Sequence, residues 1–217
     1  MKRCIFVLIF VFASFAAASA QDLSKYPNNV RLKTIYSDAK KNHETSPVTT
    51  GELADFAEQA RDAGKYLLAI DCYEQILKIR PEDVEYASLR GEVNMLNLQD
   101  FKSAVKDFTM VIAAGKATYL DHYNRGTAYF QIKKYKNALA DLDKSYAMNP
   151  QYVNTLVNRG LTKYYLKDYD GAIKDFTAGM EIDPTMKSLY LGRAFAYQAK
   201  GDEAKANADN MTAAKLQ

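Results

Sequence analysis

Laid against itself, the chain matches at a shift of 34 residues, and that period restricts it to folds built by stacking copies of one small unit. Asn124-Arg125-Gly126 recurs as Asn158-Arg159-Gly160, while Tyr135, Ala138, Asp141 and Pro150 recur as Tyr169, Ala172, Asp175 and Pro184. One further step reaches Arg193-Ala194, Ala206 and Asp209. Going backward, Arg90-Gly91, Ala104, Asp107 and Phe108 fit once an extra residue is allowed between Gly91 and Ala104. Ala57, Ala69, Tyr73 and Pro81 mark the earliest copy. Five copies result, at about residues 50–83, 84–118, 119–152, 153–186 and 187–217.

Each copy reads as two helices. Apolar and small residues recur at three- and four-residue spacing, as in Tyr135, Ala138, Leu139 and Leu142. The midpoints are polar or carry glycine (Lys133-Lys134, Lys167-Asp168, Gly201-Asp202), and Pro81, Pro150 and Pro184 close three of the copies. Helices of about 13 residues are marginal alone in water. Stacking must stabilise them, so the expected fold is all-α, a solenoid of antiparallel helical hairpins.

Residues equidistant from a hairpin turn lie level with each other. Ala57 with Ala69, Gly91 with Ala104, Gly126 with Ala138, Gly160 with Ala172 and Ala194 with Ala206 are such pairs. Small residues facing each other allow helix axes to approach toward the short end of about 8–10 Å. A second column holds charges: Arg90 with Asp107, Arg125 with Asp141, Arg159 with Asp175, and Arg193 with Asp209. These read as partly buried intra-repeat bridges, with separate solvated charges as the alternative. In the first copy the same places hold Phe56 and Cys72, an apolar pair, so Cys72 reads as a small hydrophobe between helices.

The 34-residue period with its Asn-Arg-Gly triplet, central alanine, aromatic positions and closing proline resembles the tetratricopeptide repeat family. The third and fourth copies match best; Lys116 stands where the second would have proline, and Asn210 where others have Tyr, Phe or Leu. The resemblance implies a right-handed superhelix whose first helices line a concave, peptide-binding face. On that face the third copy presents Tyr123, Thr127, Phe130 and Gln131, and the fourth Asn154, Val157, Leu161, Tyr164 and Tyr165. The fifth adds Leu191 and Phe195, whereas the first two offer Glu58, Arg61, Glu85 and Glu92. The groove is therefore expected to be acidic toward its N-terminal end and aromatic toward its C-terminal end. Tyr164 and Phe130 suit equally a place in the groove and one between neighbouring helices. The lysine and asparagine set with which some relatives grip a free carboxylate is missing.

Little points to chemistry. His43 and His122 lack metal-ligand spacing, and no glycine-rich phosphate loop, zinc-type cysteine pair or Gly-x-Ser-x-Gly elbow is present. His122 reads as a packing residue. Asn210-Met211-Thr212 forms a glycosylation sequon inside an expected helix. No cofactor, metal or catalytic residue is expected, and the leading function is a non-enzymatic scaffold for a protein or peptide partner. The alternative is a regulatory or targeting subunit of an envelope enzyme or secretion apparatus.

The ends complete the expectation. Lys2 and Arg3 precede an unbroken apolar run from Ile5 to Phe12, and Ala18-Ser19-Ala20 offers small residues for cleavage. Residues 1–20 thus read as a signal peptide for export to the periplasm or beyond; an uncleaved N-terminal membrane anchor is the alternative. Residues 21–49 read as an arm with a short amphipathic helix over 30–41. Loss of Lys2 and Arg3 takes the formal charge from +3 to +1, which gives no electrostatic case for nucleic acid. Once the signal is cleaved, no membrane insertion is expected. Cys72 then stands alone, so export does not imply a disulfide-built fold.

Overall fold

A computed structural model describes residues 49–216; the expected signal peptide and arm, apart from Thr49, lie outside the described residues. Ten helices follow one another in that range as five antiparallel pairs. The first helices are α1 (Thr50–Asp62), α3 (Glu85–Glu92), α5 (Tyr119–Gln131), α7 (Val153–Tyr165) and α9 (Lys187–Ala199). Their second helices are α2 (Tyr66–Ile79), α4 (Phe101–Ala113), α6 (Tyr135–Met148), α8 (Tyr169–Ile182) and α10 (Glu203–Lys215). Each helix packs on its neighbours in sequence, while α5 also meets α7 and α7 meets α9. The first helices of repeats three to five therefore form one layer, the inner one. No helix in this range is long and apolar enough to cross a membrane.

The hairpin turns share one geometry. Gly64, Gln99, Lys133, Lys167 and Gly201 occupy equivalent places and all have positive φ, between 55° and 82°. In the third repeat the Lys134 amide donates to the Tyr129 carbonyl and the Lys133 amide to the Phe130 carbonyl, both 2.9 Å. That pair of bonds is a Schellman C-cap, which satisfies the last carbonyls of α5. Asp100, Asp168 and Asp202 then cap α4, α8 and α10, each accepting a backbone amide at its side chain. Lys134 stands at the same place before α6 and makes no such bond.

The extra residue of the second copy has a structural form. After α3 the chain makes a π-helical turn over Val93–Asn97, with the Leu98 amide donating to the Val93 carbonyl at 3.2 Å. A π-turn takes up one residue without breaking the helix. Downstream, α4 recovers the register that sets Asp107 opposite Arg90. The turn also buries Asn94, whose amide donates to the second oxygen of Asp107 at 3.1 Å.

Packing between repeats runs through one column on the second helices: Tyr73, Phe108, Leu142 and Phe176, each at most 2% exposed. Phe176 is held between glycines of two first helices. A Cβ added at Gly160 would lie 2.8 Å from its ring, and one at Gly192 would lie 2.5 Å from it. Asn210 takes this place on α10 and is exposed, because no later helix among the described residues covers it.

The charged column crosses both hairpin and repeat boundaries. Arg125 donates from Nε and Nη2 to the two oxygens of Asp141, both at 2.7 Å. Arg159 grips Asp175 at 2.9 and 2.6 Å, and Arg193 grips Asp209 at 2.8 Å through both nitrogens. Arg90 reaches one oxygen of Asp107, at 2.6 Å from Nη2 and 3.1 Å from Nε. All four carboxylates are buried, at 3–5% exposure. The third nitrogen of three of these arginines reaches the second helix of the preceding repeat: Arg125 to Thr109, Arg159 to Asp143 and Arg193 to Thr177. Each partner lies 16 residues upstream, as each aspartate lies 16 residues downstream. One side chain thus ties three helices together. In the first repeat, Phe56 and Cys72 fill the same places and are buried at 7% and 1% exposure, and burial pushes the Cys72 thiol up to about 12.

Candidate binding groove

The face of interest is the inner layer, where residues three or four apart on one helix meet the same register on the next. Tyr123 and Thr127 on α5 are tied to α7 by Asn158, whose side-chain nitrogen donates to the Tyr123 hydroxyl at 3.2 Å and to Thr127 Oγ1 at 2.9 Å. Tyr152 closes over this junction, edge-on to Tyr123 at 5.1 Å and to Tyr119 at 5.4 Å between ring centroids. Its hydroxyl accepts from Asn154 at 3.3 Å. Burial pushes the Tyr123 hydroxyl up to about 12. This part of the wall is a polar and aromatic seam between repeats three and four.

Val157, Leu161 and Tyr164 pack against a buried cluster of Ala172, Phe176, Leu189 and Ala196. They are half-buried and serve the joint between repeats four and five. Tyr165 is 38% exposed, but it does not stand alone. Its ring stacks on Tyr135 at 5.0 Å with 12° between planes, and Phe130 meets it edge-on at 5.4 Å. Tyr164 continues the chain of rings to Tyr169. Phe130, Tyr164 and Tyr165 therefore sit at the hairpin-turn edge, spanning two repeats, rather than along the middle of the inner wall. Leu191 and Phe195 are half-buried on α9, at the registers of Val157 and Leu161.

The N-terminal part is a cleft of about 620 Å³ between α3 and α5, closed behind by the end of α4. Its apolar lining includes Val84, Leu89, Val111 and Leu120; Asp83, Glu85, Glu92 and Asp121 supply carboxylates. Asp121 is 5% exposed and forms a capping box with Thr118, while its other oxygen accepts from the Ser88 hydroxyl at 2.6 Å. Lys116 lines the cleft too, but its ammonium donates to the Glu82 carbonyl at 2.9 Å.

Several contributors went unread in the sequence. Tyr135, Tyr169 and Asn158 are members of repeated columns, and their recurrence marked the period without showing that they meet across repeats. Asp121 reads as a capping residue, and only the approach of Ser88 from 33 positions away places it in the cleft. His122 does more than pack: it is buried, with Nδ1 3.3 Å from Asp141 Oδ1. Among the described residues, no group of three or more His, Cys, Asp or Glu side chains is arranged to hold a metal ion.

Geometry alone defines an all-α repeat solenoid whose inner helices carry a polar, an aromatic and an acidic section. The sequence model for the tetratricopeptide repeat matches residues 122–152 and 153–186, the third and fourth hairpins. The third and fourth hairpins are thereby similar to tetratricopeptide repeats, and the described range shares the fold of a solved tetratricopeptide-repeat protein. Solved structures of similar fold include a MamA protein at TM-score 0.73 and 23% identity, covering 77% of this chain and 91% of that one. Residues 41 to the end of MamA from Desulfovibrio magneticus RS-1 give 0.74 at 20% identity, covering 77% and 94%. YrrB, described as a tetratricopeptide-repeat protein with an unusual peptide-binding site, gives 0.71 at 19% identity, covering 86% and 93%. No curated protein gives a significant sequence match.

Proposed function

We propose that this protein is a non-catalytic scaffold that holds a polypeptide segment along the inner face of repeats two to five. The observation that carries the reading is the continuity of that face. Equivalent positions on α5, α7 and α9 (Tyr123, Val157 and Leu191, then Thr127, Leu161 and Phe195) form two rows across adjacent repeats. These side chains are half-buried, Val157 and Leu161 against α8 and α9, and each keeps part of its surface exposed along the rows. A face of this kind offers apolar anchors at regular intervals to an extended or helical segment. The peptide-binding site named for YrrB, on the same fold, supports the reading.

We propose further that the scaffold works outside the cytoplasm, in the periplasm or beyond, a reading supported by the signal-peptide pattern of residues 1–20. Crosslinking in that compartment, followed by identification of the captured chain, tests both proposals together. Leu191→Asp with Phe195→Asp, one residue from each row, should abolish capture while helicity is retained. Undiminished capture by that folded variant would move the binding surface elsewhere.

A further inference from the structure

The cleft between α3 and α5 differs from the rest of the inner face. Its volume of about 620 Å³ falls inside the range of roughly 300–1,000 Å³ typical of ligand clefts. The floor is apolar, through Val84, Leu89 and Val111, and the carboxylates of Glu85, Glu92 and Asp121 stand around it. Cationic neutralisation is partial, since Arg61 on α1 acts on Glu92 without pairing with it. Asp83 has Arg80 at 3.0 Å, and the Lys116 ammonium is held by a backbone carbonyl. Among the described residues, no lysine or arginine lies within ion-pair distance of Glu85, Glu92 or Asp121. Asp121 is bound only by neutral donors, from Ser88 and Thr118.

Like charges meet in this cleft. Burial pushes the Glu92 carboxyl up, Arg61 on α1 opposes the shift, and the Asp121 charge adds to it. At the registers of Glu85 and Glu92 the later first helices carry Leu120 and Thr127, Asn154 and Leu161, then Ser188 and Phe195. The negative section is confined to one end of a face whose other end is apolar.

We propose that this cleft selects a basic side chain of the held segment, an arginine or a lysine, whose aliphatic stem lies on the apolar floor while its charge meets Glu85, Glu92 and Asp121. The inference rests on the groove reading above and supplies its specificity. A long cationic side chain suits such a site because its stem is apolar and its head is charged, and hydrogen bonds between ionised partners are the stronger kind. The partner would be a segment with a cation at one end and apolar anchors at the other.

The test uses the full chain with labelled leucine and valine methyls and three blocked peptides, Ala-Leu-Xaa-Leu-Ala with Xaa arginine, norleucine or glutamate. The arginine peptide should shift the methyls of Val84, Leu89, Val111 and Leu120. Binding should weaken about tenfold with norleucine, or with Glu92→Gln in the protein, and vanish with glutamate. The Glu92→Gln spectrum without peptide should keep its other methyl positions, which shows that the fold is retained. Equal binding of norleucine and arginine would overturn the inference. Shifts at Val157, Leu161 and Leu191 with a silent cleft would overturn it and leave the groove reading standing. Silence of every methyl with all three peptides would overturn both.

Discussion

Removing one arginine of the charged column should cost different amounts in different repeats, because the buried aspartates keep different second partners. Asp107 is 3% exposed, and without Arg90 it retains only the neutral amide of Asn94 at 3.1 Å. Asp175 is 4% exposed, and without Arg159 it still has the Lys163 ammonium at 2.8 Å. A buried carboxylate stripped of its countercharge costs about 3–5 kcal/mol, so Arg90→Met should fall in that range. For Arg159→Met the surviving pair removes most of that cost. What remains is one charge-assisted hydrogen bond, about 1.5–3 kcal/mol. Loss of the contact with the Tyr146 ring, 4.0 Å below the guanidinium, adds roughly 0.5–1 kcal/mol. The second arms, to Glu74 and Asp143, end on half-exposed carboxylates and contribute little in either case. Urea unfolding followed by far-ultraviolet circular dichroism measures both variants. Arg90→Met/Asp107→Leu/Asn94→Leu should recover most of the loss of the single variant, since apolar groups replace the ionic pair and the Asn94 amide that donates to it. Equal losses for the two single variants, or no recovery in the triple, would refute the argument that stranded charge sets the cost.

Four further outcomes follow from the geometry. Lys134→Asp should supply α6 with the cap that Asp168 gives α8, raising stability by about 1 kcal/mol in the same urea experiment. Gly192→Ala should cost about 1–3 kcal/mol, because the new Cβ meets the Phe176 ring at 2.5 Å, and this outweighs the gain of about 1 kcal/mol in helix propensity. Burial raises the Cys72 thiol from 9.0 to about 12, so its contribution to stability is complete below pH 9 and is lost as pH rises toward 12. That loss amounts to at most about 1.4 kcal/mol per pH unit, and Cys72→Val should flatten the corresponding part of a stability–pH curve. In a Cys4→Ser chain, a disulfide reagent at pH 8 should label Cys72 only after addition of urea.

The sequence by itself determined what depends on position within one hairpin. A period, two helical stripes and a polar midpoint are local, and an antiparallel hairpin makes level partners of residues at fixed separations. Gly160 and Arg159 could therefore be matched with Ala172 and Asp175 without coordinates. The extra residue of the second copy was visible too, although its form as a π-turn that keeps Arg90 level with Asp107 was not. Tertiary structure decided whatever depends on the rotation of one repeat against the next. The second arm of each arginine, the Asn158 link to Tyr123 and Thr127, and the stacking of Tyr165 on Tyr135 all cross a repeat boundary. So does the meeting of Ser88 with Asp121 over the acidic cleft. A 34-residue period reports that such residues recur; the angle between hairpins, set by side chains such as Phe176 wedged between two glycines, decides which of them touch.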